Sequence, residues 1–216
     1  MVITAADVAK LRAQTGAGIL DCKKASEETA GDFEKAVDAL RLRGAAKAAK
    51  RADKVAAEGV VTSYIHGAGR IGVLLELNCE TDFVARTDSF RALATDIAMH
   101  IAASAPRYLN RTEVTAEALE REKNVYNEQL KAEGKSAEMI AKIIEGKMAK
   151  FYGEICLMEQ TFIKDEEKTI EKLLAEKTSE IGEKLSIRRY VRFELGEGIE
   201  KPVTDFAAEV GHELSK

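Results

Sequence analysis

Tryptophan is absent from this 216-residue chain, and aromatic residues of all kinds make up only 6% of it. Nucleic-acid bases stack on aromatic side chains, so this scarcity argues against direct nucleic-acid binding. No apolar run approaches the roughly 18–20 residues that a membrane helix needs. The first twenty residues carry Asp7, Lys10 and Arg12 where a signal peptide is apolar. These absences predict a cytoplasmic protein that has no membrane span.

Cysteine and histidine are also scarce, with three residues of each. They lie far apart, and none forms a pair at the spacing of metal ligands. The residues are Cys22, Cys79, Cys156, His66, His100 and His212. An odd number of scattered cysteines in a chain without a signal peptide is typical of reduced, buried thiols. The sequence therefore predicts no metal site and no cofactor.

Motifs of covalent catalysis are missing as well. The chain contains no Gly-x-Ser-x-Gly, no His-x-x-x-His and no Walker-type phosphate loop. The acidic residues alternate with lysine along helical stretches such as 164–180, which is the pattern of a solvated surface. A net charge of −4 also argues against a general affinity for polyanions. The prediction is a protein that is not an enzyme.

One glycine motif resembles a nucleotide-binding fingerprint. Residues 67–72 read GAGRIG, a formal match to the G-x-G-x-x-G of dinucleotide-binding folds. That fingerprint binds pyrophosphate only where a strand turns into a helix, because the helix N-terminus holds the anion. Here residues 70–79 alternate apolar and polar side chains, as a strand does. We therefore interpret Gly67-Ala68-Gly69 as the turn of a β-hairpin.

The chain divides by composition into a helical start, a connector and a larger remainder. Residues 1–43 predict three short helices, the first of which begins with a capping box formed by Thr4 and Asp7. Residues 44–58 are rich in Ala and Lys and lack an apolar stripe. Their basic residues could contact phosphate, but no aromatic residues interleave with them, so a solvated linker is favoured. Residues 59–216 then form the core.

The core combines strands with helices, which predicts the α+β class. Strands are expected at 60–66 and 70–79, and a third at 186–195 completes a three-stranded antiparallel sheet. Amphipathic helices are expected between the second and third strands, at 88–106, at about 115–133, along the stripe from Met139 to Phe151, and around Leu173 and Leu174, whereas residues 154–163 are expected to be extended. In the third strand we expect one shared apolar face. Its predicted members are Ile187, Val191, Phe193 and Leu195.

A Thr-Asp-Phe sequence occurs twice, at residues 81–83 and 204–206, each time after a predicted strand and an acidic connection. Each threonine could cap a helix, and each phenylalanine could then pack inward as a hydrophobic staple. Alternatively, the phenylalanine could be an interaction site. Sequence periodicity alone does not separate these two interpretations.

Three long stretches resemble signature segments of the bacterial elongation factor Ts family. They are LRAQTGAGILDCKKA at 11–25, ELNCETDFVART at 76–87 and RFELGEGIEKPVTDFAAEV at 192–210. They keep the family's order and spacing, so the resemblance spans essentially the whole chain. It implies a guanine nucleotide exchange factor for the translation GTPase elongation factor Tu. It also implies that the three-helix start is the family's ubiquitin-associated-like domain.

The resemblance further implies a set of contact residues on the GTPase. The motif that displaces Mg²⁺ in the family falls on Thr81, Asp82, Phe83 and Val84. The contact positions of the N-terminal domain fall on Ile19, Leu20 and Lys23. A weaker contact in the C-terminal segment falls on Thr204, Asp205 and Phe206.

Many members of the family are longer and carry a duplicated core subdomain. This chain predicts one sheet only, which resembles the short form, and short forms are expected to pair through the core sheet as homodimers. An alternative function of a different class is a peptide- or ubiquitin-like-binding adaptor built on residues 1–43.

Overall fold

The computed structural model describes residues 3–200 of the chain. Its helices are α1 (Ala5–Thr15), α2 (Ile19–Glu28), α3 (Phe33–Lys50), α4 (Asp82–Ala85), α5 (Asp88–Ser104), α6 (Ala116–Ala132), α7 (Ala137–Ile155) and α8 (Ile170–Ile181). Its strands are β1 (Glu58–His66), β2 (Ile71–Cys79), β3 (Thr161–Phe162), β4 (Asp165–Thr169) and β5 (Ser186–Glu194). The α+β class is confirmed. No helix within the described residues is both long and apolar enough to cross a bilayer.

The first three helices form their own small core. The predicted capping box is present, because Thr4 Oγ1 accepts a hydrogen bond from Asp7 N and the Asp7 carboxylate accepts one from Thr4 N. The buried side chains are Leu11, Cys22, Ala25, Ala36, Val37 and Leu40. This core has few large side chains, so the three helices gain limited stability by themselves.

Helix α3 attaches this small core to the rest of the protein. It continues through residues 44–50, the basic segment, and packs against α8. A methyl group added at Gly44 would lie only 3.2 Å from Ser179 Oγ, so the two helices approach closely there. Lys47 pairs with Asp21 at 2.6 Å and Arg51 pairs with Glu80 at 2.8 Å. Lys47 and Arg51, both within residues 44–58, therefore form ion pairs with other parts of the protein.

The main sheet has the strand order β1-β2-β5, and both pairings are antiparallel, as predicted. Strands β1 and β2 are joined by the predicted turn, in which Gly67, Ala68 and Gly69 all have positive φ. Such backbone conformations favour glycine, which explains the composition of the turn. Because β2 follows the turn directly, the GAGRIG motif has no helix N-terminus for a pyrophosphate. The hairpin interpretation is confirmed.

The core of the larger part lies between the inner face of this sheet and α5. Along β2 the buried side chains alternate as predicted, with Val73, Leu75, Leu77 and Cys79 facing inward. Helix α5 contributes the predicted apolar stripe. Its members are Phe90, Leu93, Ile97 and Ile101. The three cysteines of the chain are free and buried, which confirms that prediction.

The imidazole of His100 is a polar group enclosed in this core. His100 of α5 is fully buried, and its Nε2 lies 3.0 Å from Gln160 Oε1, while Ile163 N donates to its Nδ1 at 3.4 Å. This arrangement places the imidazole proton on Nε2. Burial lowers the pKa of His100 below its usual 6.5. The side chain is therefore a neutral, satisfied core residue at pH 7.

The predicted apolar face of the third strand is wrong. A β-bulge at Arg188 shifts the register, since Leu77 pairs with Ile187 but Glu76 pairs with Arg189. Beyond the bulge, every side chain of β5 points to the opposite face from the one that strict alternation predicts. Ile187 is therefore buried, whereas Val191 and Phe193 lie on the outer face of the sheet.

Residues 154–163, which the sequence predicts to be extended, hold the end of α7 and then the short strand β3. Strand β3 pairs with β4, which the sequence did not predict, in a small antiparallel hairpin beside the main sheet. Helix α8 begins at Ile170, where the Thr169 side chain accepts a hydrogen bond from Lys172 N. That cap satisfies a free N–H group of the first turn and sets the boundary between strand and helix.

Candidate functional site

The Thr81–Val84 segment lies immediately beyond the end of β2. Thr81 is the N-cap of the short helix α4, and its side chain accepts a hydrogen bond from Val84 N at 3.4 Å. Ala85 is buried against the core, whereas the Phe83 side chain is 79% exposed. The helix start is therefore real, but Phe83 does not pack inward as a staple. The segment presents an aromatic ring to the outside of the molecule.

Asp82 lies beside this ring in the first turn of α4. Its Oδ2 forms an ion pair with Nη2 of Arg86 at 2.7 Å, and both side chains are exposed to solvent. Exposed pairs of this kind contribute only about 0–1 kcal/mol, so Arg86 holds the carboxylate weakly. The carboxylate therefore remains available to a partner that approaches the exposed end of α4.

A distant carboxylate holds the backbone just before α4. Glu183, in the connection between α8 and β5, accepts hydrogen bonds from Glu80 N at 3.1 Å and Thr81 N at 3.0 Å. It also accepts one from Thr81 Oγ1 at 2.6 Å. Cys79 Sγ donates to Thr81 O at 3.1 Å, and burial, followed by the charge of Glu183, raises the pKa of this thiol to about 11. The thiol is therefore protonated and can donate at neutral pH.

Glu80 ties the same segment to α3. Its carboxylate accepts hydrogen bonds from Lys184 N at 2.7 Å and from Arg51 Nη1 at 2.8 and 2.9 Å. The bond from Lys184 N and then the Arg51 guanidinium hold the pKa of Glu80 below its usual value. The ammonium group of Lys184 in turn donates to the carbonyls of Ala52 and Lys54. The end of β2, the end of α3 and the α8–β5 connection thus form one polar network.

The predicted contact residues of the N-terminal helices lie on α2. Leu20 is 80% exposed, Ile19 is also exposed, and Lys23 forms only a long ion pair of 3.9 Å with Glu27. Within residues 3–200, no hydrogen bond or ion pair joins these three residues to the Thr81–Val84 segment. The predicted residues Thr204, Asp205 and Phe206 lie outside the described part of the chain.

Sequence reasoning missed five charged residues of this site: Arg51, Glu80, Arg86, Glu183 and Lys184. Arg86 stands four residues after Asp82, a spacing that places side chains together on a helix and could have revealed the pair. Glu183 is 102 residues from Thr81, and no local pattern connects them.

Within residues 3–200, no cluster of three or more His, Cys, Asp or Glu side chains is placed to hold a metal ion.

Comparison with known proteins identifies the family of the chain. The family model described as elongation factor TS matches residues 5–197. The elongation factor Ts of Geobacter sulfurreducens is 60% identical over 210 residues, which cover 97% of each chain. That of Desulfitobacterium hafniense is 56% identical over 214 residues and 99% of each chain, and that of Heliobacterium modesticaldum is 54% identical over 215 residues and the whole of each chain. The chain therefore belongs to the elongation factor Ts family of translation elongation factors.

Proposed function

We propose that this protein is the guanine nucleotide exchange factor of elongation factor Tu. It promotes release of GDP by displacing Mg²⁺ and stabilising the nucleotide-free GTPase, so that GTP can bind. It makes and breaks no covalent bond, and it acts in the cytoplasm through protein contacts alone. The observation that carries the proposal is the exposed Phe83 ring beside Asp82, at the tip of a helix one turn long.

Phe83 acts as a wedge between the helices that flank the nucleotide pocket of the GTPase. A large apolar side chain that is 79% exposed is unfavourable in water but suits the interior of another protein. Burying one phenylalanine yields roughly 1.5–3 kcal/mol. That free energy is also available to hold the partner's helices apart.

Asp82 acts on the ion that the nucleotide phosphates hold. The Asp82 carboxylate, brought close to the Mg²⁺ ion of the partner, would disturb the waters and side chains that hold the ion. When the ion leaves, the phosphates lose their main counter-charge, and GDP dissociates. Asp82 does not need to chelate the metal, since displacing one of its ligands is enough.

These two residues are too few to explain exchange by themselves. Accelerating release of a tightly bound nucleotide a thousand-fold corresponds to about 4 kcal/mol of coupling, more than one buried ring supplies. The remainder comes from contacts that favour the nucleotide-free GTPase, including those of Ile19, Leu20 and Lys23 on α2. The coupling is reciprocal, so excess GDP or GTP expels the factor.

The proposal assigns a role to each part of the chain. Residues 1–43 form the ubiquitin-associated-like domain that contacts the nucleotide domain of the GTPase, and residues 44–58 connect it to the core of residues 59–216. The C-terminal segment with Thr204, Asp205 and Phe206 adds a weaker contact to the partner.

Release of fluorescently labelled GDP from purified elongation factor Tu tests the function directly. Release is expected to accelerate with the concentration of this protein and to saturate. Unlabelled GDP in excess is then expected to dissociate the complex of the two proteins, as reciprocity requires. An unchanged release rate at all concentrations would contradict the exchange function, and the exposed face of α2 would then favour the adaptor alternative.

Replacing Asp82 with alanine is expected to weaken only the part of exchange that depends on Mg²⁺. Stopped-flow release measured across a magnesium titration should show a flatter dependence than the wild-type protein does, because the variant no longer disturbs the groups that hold the ion. The matched control is Arg86→Ala, which removes the partner of Asp82 but leaves the carboxylate. The control should keep the wild-type magnesium dependence. Identical titrations for Asp82→Ala and wild type would exclude the proposed role.

We also propose that the protein is a homodimer through the outer face of the main sheet. This face is exposed and carries apolar side chains from all three strands, beside the ion pair of Glu76 with Arg189. The apolar members are Val61, Ile65, Leu74, Val191 and Phe193. Leu74 pairs directly with Val191, and Phe193 lies opposite Gly72, so the apolar side chains are contiguous. A second copy would cover the same patch in return, which is the geometry of a two-fold interface.

Replacing Phe193 with glutamate is expected to convert the dimer to a monomer, because the interface would have to bury an unpaired charge. Sedimentation equilibrium measures the change directly. Phe193→Leu keeps the surface apolar and should stay dimeric. A wild-type protein that sediments as a monomer at all concentrations would refute the dimer.

A further inference from the structure

Helix α4 has only four residues, and an isolated helix of that length is not stable in water. Its direction nevertheless decides where the Phe83 ring points. Its own cap is weak, since the bond between Val84 N and Thr81 Oγ1 is long at 3.4 Å. Contacts from outside the segment must therefore hold the ring in place.

Glu183 supplies the polar contacts of this kind, beside the packing of Val84 and Ala85 against the core. Its two carboxylate oxygens accept from three donors on two consecutive residues, Glu80 N, Thr81 N and Thr81 Oγ1. Hydrogen bonds to an ionised carboxylate are about twice as strong as those between neutral groups. The shortest of them, 2.6 Å, uses the hydroxyl proton of Thr81. With its proton committed to Glu183, this hydroxyl has its lone pairs free to accept the cap bond from Val84 N.

Glu183 is itself held by its neighbours. Gly182 ends α8 with a φ of +84°, a left-handed conformation that suits glycine, and turns the chain toward the end of β2. Lys184, which follows Glu183 in the chain, donates its N–H to Glu80. Leu185 is buried, and its N–H donates to Thr178 Oγ1 at 3.2 Å. The carboxylate is therefore fixed before any partner binds.

We propose that Glu183 is a positioning residue for nucleotide exchange, which orders the Thr81–Val84 segment so that Phe83 enters the GTPase in one conformation. This inference rests on the exchange function proposed above. Ordering the segment beforehand removes an entropic cost that would otherwise be incurred during binding. Glu183 touches neither nucleotide nor metal, and it acts only through Thr81 and α4.

The order of the segment can be measured without any partner. Because the chain has no tryptophan, Phe83→Trp introduces a single fluorescent reporter at the tip of α4. In this background, Glu183→Ala should increase the amplitude of fast, nanosecond depolarisation in time-resolved anisotropy. The matched control is Glu166→Ala, which removes an exposed carboxylate elsewhere in the chain and should leave the decay unchanged.

Nucleotide exchange, measured in proteins that keep the natural Phe83, should depend on Glu183 in the same way as the anisotropy does. Glu183→Ala is expected to slow stimulated GDP release about tenfold, the change that corresponds to about 1.4 kcal/mol. Glu183→Gln should recover most of the rate, because its amide oxygen can accept both N–H groups and its NH₂ can donate to the Thr81 hydroxyl. A purely structural role would instead lower the melting temperature of both variants without such a rescue.

The possible outcomes separate this inference from the exchange function. If wild-type protein fails to release GDP, the exchange function is wrong, while the anisotropy still reports whether Glu183 orders α4. If release occurs but Glu183→Ala changes neither the anisotropy nor the rate, the positioning role is overturned. Should Glu183→Ala not fold, Glu183→Asp provides the test, since it keeps the charge and withdraws it by one methylene. If Glu183→Asp then left the anisotropy decay of the Phe83→Trp reporter unchanged, the role would be overturned.

Discussion

Replacing Phe83 with alanine is expected to slow stimulated GDP release about ten- to a hundred-fold, which corresponds to the roughly 1.5–3 kcal/mol gained by burying one phenylalanine in the partner. The protein itself should stay folded. The ring is 79% exposed and does not belong to the core, and substitutions at such positions usually change stability by less than about 0.5 kcal/mol.

Two measurements on the same preparation test this expectation. Thermal unfolding should give the same midpoint for Phe83→Ala and wild type, and stopped-flow release should show the loss. Phe83→Leu is a suitable control because it keeps apolar volume and should retain part of the rate. Wild-type release by Phe83→Ala would show that the ring is not the wedge, and unfolding would show that it is needed for the fold.

Replacing Phe90 with alanine should destabilise the protein instead of impairing exchange. The free energy of unfolding is expected to fall by about 3–5 kcal/mol. Phe90 stands only seven residues after Phe83, but its side chain is fully buried between α5 and the main sheet. Its truncation removes apolar area from the core and leaves a cavity that the surrounding side chains cannot fill completely.

Urea unfolding of Phe90→Ala and wild type measures this loss. Where the variant remains folded, its GDP release should be near the wild-type rate, since α4 and its polar contacts are untouched. Phe90→Leu, which fills most of the cavity, should recover much of the stability. A loss below about 1 kcal/mol for Phe90→Ala would contradict the tight packing of this core.

Comparison of these two phenylalanines shows which side-chain positions local sequence patterns can predict. Phe90 belongs to a stripe that repeats at helical spacing, and this period predicted its burial from the sequence. Phe83 follows a capping threonine, so both an inward staple and an outward ring were compatible with its sequence. The packing of α4 on the core decided between them, since it buries Ala85 and leaves Phe83 outside.

Long-range contacts account for the other features that the sequence did not predict. The bulge at Arg188 depends on how β5 pairs with β2, and strict alternation within β5 therefore assigned its outer residues to the wrong face. Glu183 contacts Thr81 only because the turn after α8 lies against the end of β2. Neither contact produces a periodic pattern in the sequence around the residues that form it.

By itself, the sequence determined the α+β class, the capping box of α1, the hairpin turn at Gly67 and the inner face of β2, because each depends on residues close together in the chain. The family signature was equally readable, since it consists of continuous stretches. Only the tertiary structure decided that Phe83 points outward, that β5 turns Val191 and Phe193 toward solvent, and that Glu183 holds the Thr81–Val84 segment. Those features depend on strand register and on the packing of elements about a hundred residues apart, and local free-energy preferences do not encode either of them.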